Sequence, residues 1–210
     1  MIKVIDGLSE FQMSALAEAG NIGSGHAAIA LSQLIGHKIM VAVTKVQVVN
    51  VKEYFRLIGK SDSLLIGICL KVLGDIQGAI LLVFMREPAL SLVDVLLNQK
   101  IGATKVLGDI EQSALKEAGS ILGATYLNAL SELTKITAIP SVPKIAFDKA
   151  DEVVKAVFEP IDQKAGMILG VETEFVEAST RIRGHFIFMP DENGLKVLLK
   201  GLGVAVKDGA

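Results

Sequence analysis

The sequence predicts an α+β domain with internal duplication, a pseudo-two-fold arrangement of two helix-strand-strands-helix halves with an antiparallel sheet and two long helices. Three observations predict it. Ser14-Ala15-Leu16-Ala17-Glu18-Ala19-Gly20-Asn21-Ile22-Gly23 returns 99 positions later as Ser113-Ala114-Leu115-Lys116-Glu117-Ala118-Gly119-Ser120-Ile121-Leu122, and a repeated unit sets both the architecture and the number of sites. After each copy the pattern turns β-branched and alternating, then closes on an amphipathic helix. Half of the 210 residues are hydrophobic, enough for one substantial core shared by halves at about 1–100 and 101–210. Two copies do not make a solenoid.

In chain order, Ser9 followed by Gln12 has the spacing of a capping box, so a helix begins near residue 9. At about 100° per residue, Leu16, Gly20, Gly23, Ala27, Leu31 and Leu34 share one side, and Ser14, Glu18, Asn21, Gly25 and Ser32 another. Because the apolar phase survives Gly20, Gly23 and Gly25, the helix is expected to run to about Ile35, the glycines serving close approach of another backbone. Lys38 to Val51 reads as strand, and Ser63 to Met85 as two strands joined around Gly74-Asp75. Their unbroken apolar character suits central strands covered on at least one face. Glu87 to Asn98 reads as an amphipathic helix, and 99–108, with Gly102 and Gly108, as a connector.

The second half replays the first. Asp109 and Gln112 repeat the capping-box spacing, and Leu115, Gly119, Leu122, Tyr126, Leu130 and Leu133 keep the apolar phase. Strand-like segments follow at Glu152 to Glu159, Ala165 to Ala178 and Thr180 to Met189, and a closing helix begins near Asp191. Hairpin connections imply antiparallel pairing.

Composition excludes several classes. A net charge of −2 with dispersed Lys and Arg argues against a nucleic-acid partner. Cys69, the single cysteine, rules out an intramolecular disulfide, reads as a small buried hydrophobe and suits a reducing cytoplasm. No signal-peptide pattern opens the chain and no apolar run reaches the roughly 18 residues of a membrane span, so a soluble protein is expected. His26, His37 and His185 lack partners at ligand spacing, which makes structural roles more natural than metal binding. Gly20-x-x-Gly23-x-Gly25 lacks a Walker spacing and a preceding strand, and Ser24 lacks the context of a nucleophile elbow.

Ser14, Glu18 and Asn21 stand at i, i+4 and i+7 and share one helical face. Such a face is commonly a solvated stripe; recurrence of Ser-x-x-x-Glu at Ser113 and Glu117 gives it more weight. The pattern resembles the CheC/CheX/FliY family of chemotaxis phosphatases, whose motif is Asp or Ser, three residues, Glu, two residues, Asn, and a Pro some 22 residues later. The first half matches at Ser14, Glu18 and Asn21, with Thr44 where the Pro is expected; the second matches at Ser113, Glu117 and Pro143, with Ser120 where the Asn is expected. Gly74-Asp75-Ile76-Gln77-Gly78 looks like the family's strand turn.

The resemblance implies a cytoplasmic phosphatase acting on the phospho-aspartate of the response regulator CheY. Asn21 would orient the attacking water and Glu18 would bind a regulator lysine, with Ser14, Ser113, Glu117 and Ser120 docking the regulator. The chain itself is expected to hold no metal or cofactor, the Mg²⁺ belonging to CheY. Positioning and charge neutralisation dominate phosphoryl transfer, and a planar carboxamide offers both donor and acceptor. A Ser hydroxyl is shorter and lacks that geometry, so the first half is expected to hold the working site and the second to dock the regulator or stay silent. Asp148 corresponds to a region that in some relatives binds the deamidase CheD, and a solvated loop carboxylate is the alternative. The runner-up is a non-catalytic CheC-type adaptor engaging CheD or CheY, and a small-molecule enzyme is a third class. Since the duplicated unit uses roughly all of the length, a stand-alone protein is expected rather than a flagellar switch component.

Overall fold

A computed structural model describes residues 8–36, 40–50, 54, 58, 62–150, 152–153, 167–177 and 180–205. The elements run α1 (Glu10–Ile35), β1 (Met40–Asn50), β2 (Leu64–Gly74), β3 (Gly78–Met85), α2 (Arg86–Leu96), α3 (Asp109–Thr134), β4 (Ala138–Pro140), β5 (Lys144–Lys149), β6 (Met167–Glu177), β7 (Thr180–Pro190) and α4 (Glu192–Gly201). The fold class is α+β, as the alternation of long helical and β-branched stretches predicts.

The strands form one sheet in the order β1-β6-β7-β3-β2-β4, with β5 also paired to β2, and the pairs are antiparallel. Exchanging β1 with the β4 and β5 pair, β2 with β6, and β3 with β7 reverses this order and leaves it unchanged. The strand after each long helix also carries an extra residue. In β1 the register against β6 slips between Val43 and Lys45, at Thr44. On the opposite edge, Pro140 faces Val72 and Lys144 faces Cys69, so four steps on one strand answer three on the other. Such a bulge bends an edge strand and leaves one residue outside the ladder, where Pro is tolerated.

Both faces of β2 and β3 are covered. Ile66, Ile68, Leu70 and Val72 of β2 and Ile80, Leu82 and Phe84 of β3 point into the main core, shared with Leu16 and Leu31 of α1, Leu115, Tyr126 and Leu130 of α3, Leu92 and Val93 of α2, and Leu198 of α4. The alternate residues Leu65, Leu81 and Val83 pack with Tyr54, Ile58, Ala150 and Val153 on the other face. This two-sided burial is why β2 and β3 read as continuous apolar runs instead of alternating ones. Together these side chains remove a large apolar area from water, the main force holding the helix layer to the sheet.

Three expectations need correcting. The α3 terminus has no capping box: its N-cap is Gly108, with no side-chain cap bond, and the Gln112 amide donates instead to Leu107 O at 3.1 Å. Asp109 sits one residue too late to cap and places its carboxylate in the first turn, where the helix dipole favours an anion. The strand expected at Glu152 to Glu159 is not found where it can be seen, because Glu152 and Val153 are helical and the remainder lies outside the described residues. The strand following α3 is instead the β4 and β5 pair, which tolerates Pro140 at a sheet edge. Leu34 and Leu133, placed on the core side, are each 41% exposed, at the last turns of helices that end at Ile35 and Thr134. His37 lies outside the described residues.

Candidate functional site

At the start of α1 the Ser9 N–H donates to Gln12 Oε1 at 2.8 Å and the Gln12 N–H donates to Ser9 Oγ at 3.2 Å, so two end donors are satisfied reciprocally. Gln12 Nε2 also donates to Ala205 O at 2.8 Å, tying the helix to the segment after α4. A left-handed Gly36 ends the helix. Between these caps the helix stays unbroken through its glycines. At Gly23 the reason is visible: a Cβ there would stand 2.5 Å from the Tyr126 ring of α3. Absence of a side chain lets the two long helices approach with Tyr126 seated against α1 and its ring tilted against those of Phe186 and Phe188 of β7, at centroid distances of 4.5 and 5.7 Å.

With Met13, Leu16, Ala19, Gly20, Gly23, Ala27 and Leu31 buried, the opposite face of α1 is presented to solvent. Ser14, Glu18 and Asn21 are all exposed on it. Among the described residues none of their side chains is tied to another, so a carboxylate and a carboxamide are free to meet an incoming group. From Ser14 to Asn21 the helix rises about 10 Å. Ser32 is half-buried, and its hydroxyl donates to Ala28 O at 3.1 Å.

The same stripe holds residues whose roles the sequence pattern alone left undrawn. Phe11, one turn before Ser14, is 70% exposed, and Ile29 is 62% exposed. Gly25, one turn after Asn21, is exposed, with no atom beyond its chain neighbours and its own helix backbone within 4 Å of where a Cβ would stand, although glycine costs a helix about 1 kcal/mol relative to alanine. The signal lay in the phase: apolar residues falling on the polar side of an otherwise amphipathic helix.

On α3, Ser113 and Glu117 are exposed and Ser120 is half-buried. Ile110, the counterpart of Phe11, is 69% exposed. The connector leading into this helix is held by Asp94, fully buried on α2. Its carboxylate accepts from the Gly102 N–H at 2.6 Å and the Thr104 N–H at 2.8 Å. Burial alone would raise its pKa, but hydrogen bonds from the Thr104 side chain and the backbone N–H groups of Thr104, Gly102 and Ala103 outweigh it and hold the group below the usual carboxylate range.

Asp148 does not stand in a loop. It is exposed on β5 opposite Leu65, beside the exposed Phe147. The Gly74-to-Gly78 turn is fixed from outside, the Asp75 N–H donating to Thr137 O at 2.8 Å and the Asp75 carboxylate accepting from the Thr137 N–H at 2.8 Å. Among the described residues, no group of three or more His, Cys, Asp and Glu is arranged to hold a metal ion, and no helix is long and apolar enough to cross a membrane. His26 is exposed on α1, and the ring of His185 meets the Tyr54 hydroxyl at 3.3 Å through Nδ1.

Residues 11–43, which contain Ser14, Glu18 and Asn21, match the model of the CheC-like family. Over 98% of its length the chain is 29% identical to the CheY-P phosphatase CheC of Bacillus subtilis, all of which is covered. In structure it is similar to Thermotoga maritima FliY, with a TM-score of 0.77 at 22% identity over 93% of this chain and 98% of that one. It is also similar to a chain of the CheX–CheY–BeF3–Mg²⁺ complex of Borrelia burgdorferi, with a TM-score of 0.53 at 12% identity over 84% and 99% of the two chains.

Proposed function

From a chain that is CheC-like in sequence and in fold, we propose a phosphatase that hydrolyses the phospho-aspartate of CheY, working through one face of α1. The observation that carries this reading is the joint exposure of Ser14, Glu18 and Asn21, with none of them engaged elsewhere among the described residues. A convex helix face with a planar amide at its centre can enter a partner's active site, which a buried or salt-bridged triplet could not do. The name of the B. subtilis relative, a CheY-P phosphatase, supports the substrate class.

The Asn21 carboxamide accepts a hydrogen bond from a water and holds it in line with phosphorus, while Glu18 pairs with a cationic side chain of the regulator. Water attacks phosphorus, the bond to the aspartyl oxygen breaks, and phosphate leaves with the aspartate regenerated. The Mg²⁺ expected in the regulator would supply charge neutralisation for the transfer. This chain's contribution is position, which alone accounts for large rate factors in such transfers. Ser14 lies one turn before Glu18 and helps seat the regulator.

The palindromic strand order and the matched bulges at Thr44 and between Pro140 and Lys144 support the reading of the chain as one domain of two repeated halves. In the second half Ser113, Glu117 and Ser120 retain docking, but Ser120 is too short to place the water. Phosphate release from CheY-P by wild type, Asn21→Ala and Ser120→Asn tests the assignment: Asn21→Ala should lose at least about a hundredfold in rate, and Ser120→Asn should not lose activity. Full activity in Asn21→Ala would sink the one-site reading. A second reading, an adaptor that binds CheD, is favoured by exposed Asp148 and Phe147 on the edge strand β5; Asp148→Lys separates the two by abolishing CheD capture while leaving phosphate release intact.

A further inference from the structure

Gly25 is the glycine of α1 for which the described fold offers no use. Gly23 makes room for Tyr126, and on α3 Gly119 and Gly123 make room for Ile68 and Leu70. At Gly25 an added Cβ would meet nothing within 4 Å beyond its chain neighbours and its own helix backbone. The position is exposed, lies within a regular helix, and falls on the stripe of Ser14, Glu18 and Asn21, one turn beyond the amide. A helix that gives up stability at such a place leaves the space above its backbone to something outside the chain.

The residues around it show how large that something is. Phe11 and Ile29, exposed at 70% and 62%, bracket the polar residues at either end of the stripe, about 27 Å apart along the axis. That length spans one side of a standard protein interface, roughly 800 Å² per partner. An exposed aromatic and an exposed β-branched residue flanking the polar groups on one helical face offer apolar area that a partner seated over those groups would remove from water. A single-phosphate ligand would leave both apolar ends in water; a folded receiver domain would cover them.

We propose that Gly25 is a close-approach point for the backbone of the receiver domain, and that Phe11 and Ile29 are the apolar anchors that hold that domain over Asn21. The inference rests on the phosphatase reading above and deepens it, since it identifies what sets affinity apart from what does chemistry. Gly25 has no functional group and touches no reacting atom; it acts by letting the partner's chain come close enough for the Asn21 amide to reach its water. In the second helix the corresponding residues are Ala124 and Asn128, so of the pair only the N-terminal anchor is kept there, at Ile110. The second face is therefore a looser seat.

The test measures binding of CheY activated with beryllofluoride and Mg²⁺, a readout that does not require hydrolysis, alongside the melting temperature. Gly25→Ala should raise the melting temperature by about 2–4 °C, the usual return on replacing an exposed helical glycine in a chain of this size, and yet weaken binding by about threefold. Gly25→Leu should weaken it at least about tenfold, and Phe11→Ala by about tenfold. Greater fold stability with poorer binding is a combination that a merely structural glycine does not give. Wild-type affinity in Gly25→Leu would overturn the inference while leaving the phosphatase reading in place, whereas failure of the wild-type chain to bind or dephosphorylate CheY would overturn that reading itself. A dimer of this chain that falls apart on Gly25→Leu, with CheY affinity unchanged, would replace the receiver domain by a second copy and overturn the inference as well.

Discussion

Replacing Asp94 is the perturbation whose size can be worked most directly from the structure. The carboxylate is fully buried and accepts from the N–H groups of Gly102 and Thr104 at 2.6 and 2.8 Å. Hydrogen bonds to a charged group contribute about 1.5–3 kcal/mol each. On Asp94→Ala the exposed Gly102 recovers a bond to water, but the buried Thr104 leaves its N–H unsatisfied, so a loss of about 3 kcal/mol is expected, or about 6–12 °C in melting temperature. Asp94→Asn keeps one acceptor oxygen and should cost about 2 kcal/mol. The folded-state pKa lies below the ordinary value. The stabilisation is therefore complete above the unfolded pKa of about 3.9 and disappears as pH falls through the folded value. Urea unfolding of wild type and Asp94→Asn at pH 7 and at steps down to pH 3 should show a gap that is constant near neutrality and narrows below about pH 4. A gap that stays level across that range, or an Asp94→Ala variant within about 0.5 kcal/mol of wild type, would show that the connector into α3 is held by something else.

Two further outcomes are expected. Thr44 lies at the bulge of β1, so Thr44→Pro should change unfolding free energy by less than about 1 kcal/mol, whereas Leu82→Pro in the central strand β3, paired with both Ile68 of β2 and Phe186 of β7, should cost about 3 kcal/mol or more; equal costs would remove the bulge as the reason a Pro and a Thr can alternate at position 44. Burial pushes the Cys69 thiol up to about 11, against smaller lowering effects of Lys144 and Lys71. Iodoacetamide at pH 8 should thus find about 0.1% thiolate and react slowly, with the rate still climbing beyond pH 9; labelling as fast as a free thiol would contradict this.

Much of the fold was legible because its signals are local. Ser9 and Gln12 form the capping box that their spacing announces, and α1 ends at Ile35 because its apolar phase continues through the glycines. Asp109 and Gln112 have that same spacing and make no box, since capping depends on which residue first leaves helical geometry, a choice made by the preceding connector and its anchor at Asp94. The edge strands β4 and β5 were hidden by Pro140 and Pro143, which argue against strand unless the edge is known. At the site, spacing put Ser14, Glu18 and Asn21 on one helical face, and the recurrence at Ser113 and Glu117 singled that face out. The unoccupied space over Gly25 did not follow from spacing, because whether a glycine clears room for its own fold or for a visitor depends on which side chains from distant segments arrive beside it.

Strand β1 of the first half finds its neighbour in β6 of the second, and β3 of the first lies against β7 of the second. Each half thus completes the other's sheet, and a chain cut near residue 100 would yield two pieces with raw edges rather than two small domains. A face such as that of Ser120 can therefore change without its half of the chain becoming dispensable, because the strands that follow it supply the neighbours of β1 and β3.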